Sequence, residues 1–138
     1  MGDGEQNEGQ VWEAYMSASK FGLSNLTVVI DRNNIQIDGH TEDVMPLEPF
    51  GEKLRAFGFK VVEVDGHNIE EIAGAMNMAK VTFEKPTAIV LHTIPGKNVG
   101  FMENEYSWHG KAPNSGESIQ ALMELRKLRT LDGKIIND

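Results

Sequence analysis

Apolar residues along this chain fall into short blocks that alternate between a helical and an extended rhythm. Val11, Tyr15, Ala18 and Leu23 recur at roughly helical spacing and predict an amphipathic helix over residues 9–23. Leu26-Thr27-Val28-Val29-Ile30 is a continuous run rich in β-branched residues, the signature of a strand buried on both faces. Residues 32–47 are polar and contain Asn33-Asn34, Asp38-Gly39 and Met45-Pro46, so they predict a long loop. Loops of that length inside compact domains are usually functional or disordered.

The same alternation then repeats. Residues 50–57 predict a helix closed by Gly58, residues 59–64 a strand, and Asp65-Gly66 a turn. Residues 69–83 predict a helix with Ile72, Met76, Ala79 and Phe83 on one face, stopped by Pro86. Residues 87–91 read as a third buried strand, residues 93–114 as a second long loop, and residues 115–131 as a last helix carrying Ile119, Leu122, Met123 and Leu128. Alternating helices and strands in this order predict an α/β fold, a parallel sheet with helices on both faces. Three strands are few for an open parallel sheet. The sheet is therefore expected to be partial, with an unpaired edge that favours association.

A chain of 138 residues makes one domain, residues 1–138, with enough length to bury a core. No apolar run long enough to cross a membrane exists, and no basic-then-apolar leader is visible, so no membrane association is expected. The lack of cysteine removes disulfides and thiolate metal sites and fits a cytoplasmic location. A net charge of −8 argues against nucleic acid, whose binding needs a basic face to displace counterions. In the first fifty residues Lys20 and Arg32 face nine carboxylates. Such an acidic end can serve solubility or favour a divalent cation, and charge alone does not choose between them.

Chemistry enters at the start of the chain. Gly2-Asp3-Gly4 is followed about thirty residues later by Asp31-Arg32-Asn33, just past the first apolar strand. Magnesium takes six oxygen ligands and binds diphosphates through one or two carboxylates plus carbonyls. Asp3 offers a carboxylate, while Gly2 and Gly4 permit a tight turn and close backbone approach to a phosphate. The helix beginning near Gly9 offers free N–H groups to an anion. Asn33 lies at the carboxyl end of a strand, where ligands of open α/β sheets collect. Either half alone reads as an ordinary turn or loop; order and spacing together are far more specific.

The segment Gly2 through Ala14, Leu26 through Asp31, Asn33 and Gln36-Ile37-Asp38-Gly39 resembles the transketolase family. Asp65-Gly66-His67, Pro86-Thr87, Thr93, Gly96-Lys97, Phe101-Met102-Glu103-Asn104 and Trp108-His109-Gly110 continue the match over nearly the whole chain. The similarity is to the domain that holds the cofactor's diphosphate, the N-terminal section of split transketolases. It implies a thiamine-diphosphate-binding fold and, because the motif begins at residue 2, a partial one lacking the segment that precedes the motif.

The resemblance further implies thiamine diphosphate held through Mg2+ (or Ca2+ or Mn2+). The metal ligands would be Asp3, the Asn33 side chain and the Ile35 backbone carbonyl. Gly2, Gly4 and Glu5 would lie at the diphosphate with them. Glu8 would sit at a dimer contact linked to proton movement between active sites, although a carboxylate near a helix N-terminus is favourable without any such role. His109 would approach the diphosphate and the substrate. A complete enzyme would move a two-carbon ketol unit between sugar phosphates, in carbohydrate metabolism of the pentose phosphate pathway, with the cofactor as electron sink.

The glutamate that activates the aminopyrimidine would lie on a separate pyrimidine domain, the transketolase C-terminal section. A homodimer or heterotetramer is thus expected, and this chain alone is not expected to be competent. Two alternatives remain at this point: a non-catalytic remnant or interaction module, and a component of another thiamine-diphosphate enzyme such as a deoxyxylulose-phosphate synthase or a dehydrogenase. Asn33 through Gly39 and Trp108-His109-Gly110 favour transketolase over the latter.

One stretch departs from the family. Where Thr-x-Lys-Gly-Lys-Gly is common, this chain has Thr93-Ile94-Pro95-Gly96-Lys97-Asn98. Pro95 removes a backbone donor, and Asn98 replaces a residue free at positive φ, so the local loop shape is open. His40, His67 and His92 show no metal-ligand spacing and read as structural. Trp12 and Trp108 read as packing residues, and the methionines as core filler. Arg126-Lys127-Leu128-Arg129 reads as the basic, dipole-compensating end of the last helix.

Overall fold

A computed structural model describes residues 1–131, with side chains described through 127. The elements are α1 (Gly9–Lys20), β1 (Thr27–Arg32), β2 (Ile35–Gln36), β3 (Gly39–His40), α2 (Thr41–Val44), α3 (Phe50–Ala56), β4 (Lys60–Asp65), α4 (Ile69–Lys80), β5 (Thr87–His92) and α5 (Ser115–Leu131). Single 3-10 turns cover Gly4–Asn7 and Tyr106–Trp108. The main sheet has the order β1-β5-β4 and is parallel throughout. β2 and β3 form a small antiparallel pair with Ile35 opposite His40.

The last strand in sequence is the central one in space, and this decides which strand is buried. β5 is closed on both sides, with Thr87 through Val90 all buried. β1 and β4 flank it and are only partly covered, so the expectation that all three strands are covered on both faces holds for β5 alone. Ile30, Ala88 and Val90 face a core built with Tyr15, Ala18, Leu47, Phe50, Leu54 and Phe59 from α1, α3 and adjoining loops. On the other face Ile89 meets only Ala75 and Ala79 of α4, flanked by Val62, Val64 and Leu91. Helices therefore lie on both faces, and the α1/α3 side holds most of the buried apolar volume.

Local chemistry explains the helix ends. Asn68 caps α4 by accepting the N–H groups of Glu70 and Glu71. Gly58, at φ 91, closes the turn after α3 and donates its N–H to the Arg55 carbonyl. α4 stops at Lys80, so Phe83 lies beyond the helix and is 78% exposed rather than packed on its apolar face. The helix instead presents alanines to the sheet, which permits close approach. Within the predicted 32–47 loop the chain forms the β2–β3 pair, turned at Ile37-Asp38 with Gly39 at φ 154 opening β3, and the one-turn helix α2.

α5 spans the predicted residues, yet Ile119, Leu122 and Met123 are half or more exposed; Leu128 and Arg129 fall outside the described side chains. No helix among the described residues is long and apolar enough to cross a membrane.

Candidate functional site

The spacing of the opening motif has a direct structural cause. The first three residues run parallel to the carboxyl end of β1: Asp31 N–H donates to the Met1 carbonyl (2.8 Å), and Asp3 N–H donates to the Asp31 carbonyl (3.0 Å). This pairing places Asp3 beside the residues that follow β1. A cleft of about 630 Å³ opens there, bordered by Gly2, Asp3, Gly4, Glu5 and Glu8 from the start of the chain, Asp31 through Asp38 in part, and His109 from the far loop. All the residues singled out in the sequence, Gly2, Asp3, Gly4, Glu5, Glu8, Asn33, Ile35 and His109, thus meet in one cleft.

Asp3 is fully buried. Its Oδ2 accepts from Arg32 Nη1 at 2.7 Å and from Asn34 N–H at 2.8 Å, whereas its Oδ1 has no hydrogen-bond partner. A buried carboxylate oxygen without a donor is costly, and a cation is one of the few groups that relieves it. Asn33 Oδ1 accepts the Ile35 N–H at 3.1 Å, and its Nδ2 donates to Asp31 Oδ2 at 3.2 Å, so the amide oxygen already points along the turn that brings Ile35 beside it. Asn34 adopts φ 63, a left-handed conformation that asparagine tolerates, and this presents its N–H to Asp3.

The remaining predicted residues shape the cleft differently. Glu5 Oε2 accepts the Gly2 N–H at 2.6 Å, so that carboxylate closes the glycine turn. A Cβ on Gly4 would come within 3.0 Å of Gln36 Cβ, which explains why glycine stands against the β2–β3 pair. Glu8 occupies the cap position of α1 without a side-chain capping bond and is exposed at the cleft. His109 follows the Tyr106–Trp108 turn and also borders a second cleft of about 330 Å³, shared with Asn33, Ile35, Gly96 and Lys111. It therefore stands between the two spaces.

Electrostatics set what the main cleft can hold. Five carboxylates border it, from Asp3, Glu5, Glu8, Asp31 and Asp38, and among the described residues no lysine or arginine does. Two like charges about 4 Å apart cost about 4 kcal/mol at an effective dielectric of 20. A diphosphate would thus be repelled unless a divalent cation came with it. Asp3, with its unpartnered Oδ1, Asn33 and Ile35 all border the cleft, and a carboxylate, an amide oxygen and a backbone carbonyl are donors of the kind Mg2+ takes. Among the described residues no group of three His, Cys, Asp or Glu side chains is placed to hold a metal, so a cation here would rest on mixed oxygen donors. The residues present fit a metal-bound diphosphate.

Several residues at the site escaped the sequence reading. Gln6, fully buried, accepts the Tyr15 hydroxyl on Oε1 at 2.6 Å and the Trp12 indole N–H on its carbonyl at 2.7 Å, and donates from Nε2 to the Gly2 carbonyl at 3.2 Å. It fastens the glycine turn to α1. Burial pushes the Tyr15 hydroxyl up to about 12, helped by the Glu5 carboxylate. Thr93 donates its hydroxyl to Asp31 Oδ1, joining the end of β5 to the cleft wall. Arg32 is also buried, and its Nη2 donates to Glu42 at 2.6 Å and Glu48 at 3.1 Å. A lone arginine in an acidic stretch, directly after an apolar strand, was the signal available for it.

The other histidines have structural partners. His67 Nε2 accepts the Ile94 N–H at 2.7 Å, and His92 lies 3.1 Å from Glu63. His40 packs edge-on to Tyr106. The loop after β5 has three left-handed positions, Gly96 at φ 66, Asn98 at φ 69 and Asn104 at φ 59. Asparagine there replaces a glycine-like position at modest strain, and the Pro95 carbonyl accepts from Asn104 at 3.0 Å.

Residues 1–128 match the family described as transketolase, thiamine diphosphate binding domain. The chain is 43% identical over 127 residues to the 6-deoxy-6-sulfo-D-fructose transketolase subunit SqwG of Clostridium sp. (strain MSTE9), covering 92% of this chain and 46% of that protein. It is 40% identical over 125 residues to one subunit of the apulose-4-phosphate transketolase of Phocaeicola vulgatus, covering 91% and 44%. It spans a little under half the length of these relatives. The transketolase of Campylobacter jejuni superposes with a TM-score of 0.79 at 30% identity, over 88% of this chain and 19% of that one.

Proposed function

Because this chain belongs to the family of transketolase thiamine-diphosphate-binding domains, we propose that it anchors thiamine diphosphate through Mg2+ in a transketolase-type enzyme. The observation that carries this reading is the buried, unpartnered Asp3 Oδ1 in a cleft rich in carboxylates and, among the described residues, free of lysine and arginine. Asp3, Asn33 and the Ile35 carbonyl would hold the cation, and Gly2 and Gly4 would admit the diphosphate beside it. The cofactor, when bound, supplies an electron sink for carbon–carbon bond cleavage and formation. This chain's own part is to bind, orient and desolvate.

His109 borders both clefts, and in this reading it would meet the diphosphate on one side and a sugar substrate on the other. Glu8, exposed beside the same cleft, would carry a proton link at an interface between protomers. Substrates of the sugar-phosphate or sulfo-sugar class follow from what the two relatives are named for. Both are called subunits, which supports a partner subunit; that it supplies the pyrimidine-binding half, in a homodimer or heterotetramer in the cytoplasm, is part of the same proposal. In this reading the group that activates the aminopyrimidine would come from that pyrimidine-binding half.

Reconstitution tests the proposal. Mixing the chain with a pyrimidine-domain section, thiamine diphosphate and Mg2+ should yield ketol transfer that neither component shows alone. Ketol transfer that is unchanged by Asp3→Ala would refute the assignment of the anchoring site. A folded complex that binds cofactor yet transfers nothing would favour the non-catalytic module.

A further inference from the structure

Asp3 is held from behind by a residue that takes no part in the cleft itself. Arg32 sits at the last position of β1, on the face that carries Ile30, and only 2% of its side chain is exposed. One arm of its guanidinium donates to Asp3 Oδ2 at 2.7 Å; the other donates to Glu42 at 2.6 Å and Glu48 at 3.1 Å. Those glutamates in turn accept backbone N–H groups of Leu47 at 3.0 Å and Phe50 at 2.9 Å, tying down the segment between α2 and α3. Arg32 is therefore a rigid strut between this segment and the carboxylate, and with Asn34 N–H it engages only Oδ2. Oδ1 is the oxygen left over.

We infer that Arg32 is a positioning residue for cation binding, holding the Asp3 carboxylate so that Oδ1 is kept for the metal and coupling the 42–48 segment to it. The inference rests on the reading of Asp3 as a cation ligand. A guanidinium suits this task because its planar fork reaches two partners in fixed directions, which a lysine does not. Simple charge bookkeeping gives the opposite expectation. A cation close to the site should repel the metal, so its removal should tighten binding. Three carboxylates surround Arg32, however, leaving the cluster net negative and muting that repulsion. Loss of orientation then dominates, and groups that orient metal ligands commonly change metal affinity by about 10–100-fold.

The sign of the effect decides the matter. Mn2+ affinity of the full chain is measured by electron paramagnetic resonance for the wild type, Arg32→Met, Arg32→Lys and Asp3→Asn, each first shown folded by circular dichroism. The inference predicts at least about tenfold weaker binding for Arg32→Met, with part of the loss recovered in Arg32→Lys. It also predicts that Mn2+ slows hydrogen exchange at the Leu47 and Phe50 amides in the wild type and not in Arg32→Met. Should Arg32→Met fail to fold, Arg32→Lys carries the test through the same exchange readout. Unchanged or tighter binding in the Arg32 variants, with Asp3→Asn still impaired, overturns the role of Arg32 alone. Wild-type affinity in Asp3→Asn, or no Mn2+ binding by the wild type, overturns the site assignment and this inference with it.

Discussion

Replacing Tyr15 by phenylalanine isolates the contact that fastens the glycine turn to α1. Only the hydroxyl is lost, and Tyr15 is 3% exposed, so the ring packing against Phe59 and Trp12 stays. Gln6 Oε1 then lacks its 2.6 Å donor inside a residue with no exposure. A buried acceptor left without its donor costs about 1–3 kcal/mol. For a domain of this size that corresponds to a Tm lower by roughly 3–10 °C.

A second signature comes from pH. The Tyr15 hydroxyl titrates at about 12 in the folded protein against 10.0 when exposed, so the folded state holds its proton more tightly. The stability this contributes is fully present below pH 10 and is lost as pH rises towards 12. Two units correspond to about 2–3 kcal/mol. Phenylalanine has nothing to titrate, so the gap between wild type and variant should narrow over that interval. Urea unfolding at several pH values, together with the ultraviolet tyrosinate signal, reads both effects. A variant within about 0.5 kcal/mol of wild type at neutral pH, or a gap that stays constant through the alkaline range, would refute the reasoning.

Four other substitutions have defined expectations. Glu42 and Glu48 are held below their ordinary value of 4.5, Glu42 chiefly by the Leu47 N–H against its own desolvation and Glu48 by the Phe50 N–H, with Arg32 assisting both. Their contribution is present above that value and is lost as pH falls through the depressed values, so Glu42→Gln should flatten the acid limb of a pH–stability curve; an unaltered limb would count against the network. Gly4→Ala must push Cβ against Gln36 and should weaken Mg2+-dependent cofactor binding, measured by calorimetry, more than it lowers Tm. Leu54→Ala, at a fully buried position, should cost about 2–5 kcal/mol, whereas Phe83→Ala, mostly exposed, should stay within about 0.5 kcal/mol in denaturant titrations.

The alternating order of helices and strands was legible because each apolar block carries one rhythm only, and the parallel sheet followed from that order. What periodicity did not carry is neighbour order. Nothing in residues 87–91 states that this strand lies between the other two, and so which strand is buried on both faces stayed hidden. The 32–47 stretch was misread for a related reason: β2 and β3 are two residues each, too short for any period. Phe83 looked like a continuation of the helical face, but the helix ends three residues before it.

At the site, glycines, a carboxylate and an asparagine at a fixed distance were readable because backbone pairing between Asp3 and Asp31 imposes that distance. Gln6, Arg32 and Thr93 were not. Their roles depend on partners from elements far along the chain, which local pattern does not encode.

Whether a divalent cation seated on Asp3 anchors the cofactor's diphosphate is the central question, and calorimetry answers it most directly. Thiamine diphosphate is titrated into the chain and its pyrimidine-domain partner, with Mg2+ and then with a chelator, for wild type and Asp3→Ala. Binding is expected only for wild type with Mg2+ present. Binding that persists in chelator, or in Asp3→Ala at wild-type affinity, would contradict that role for Asp3 and its cation.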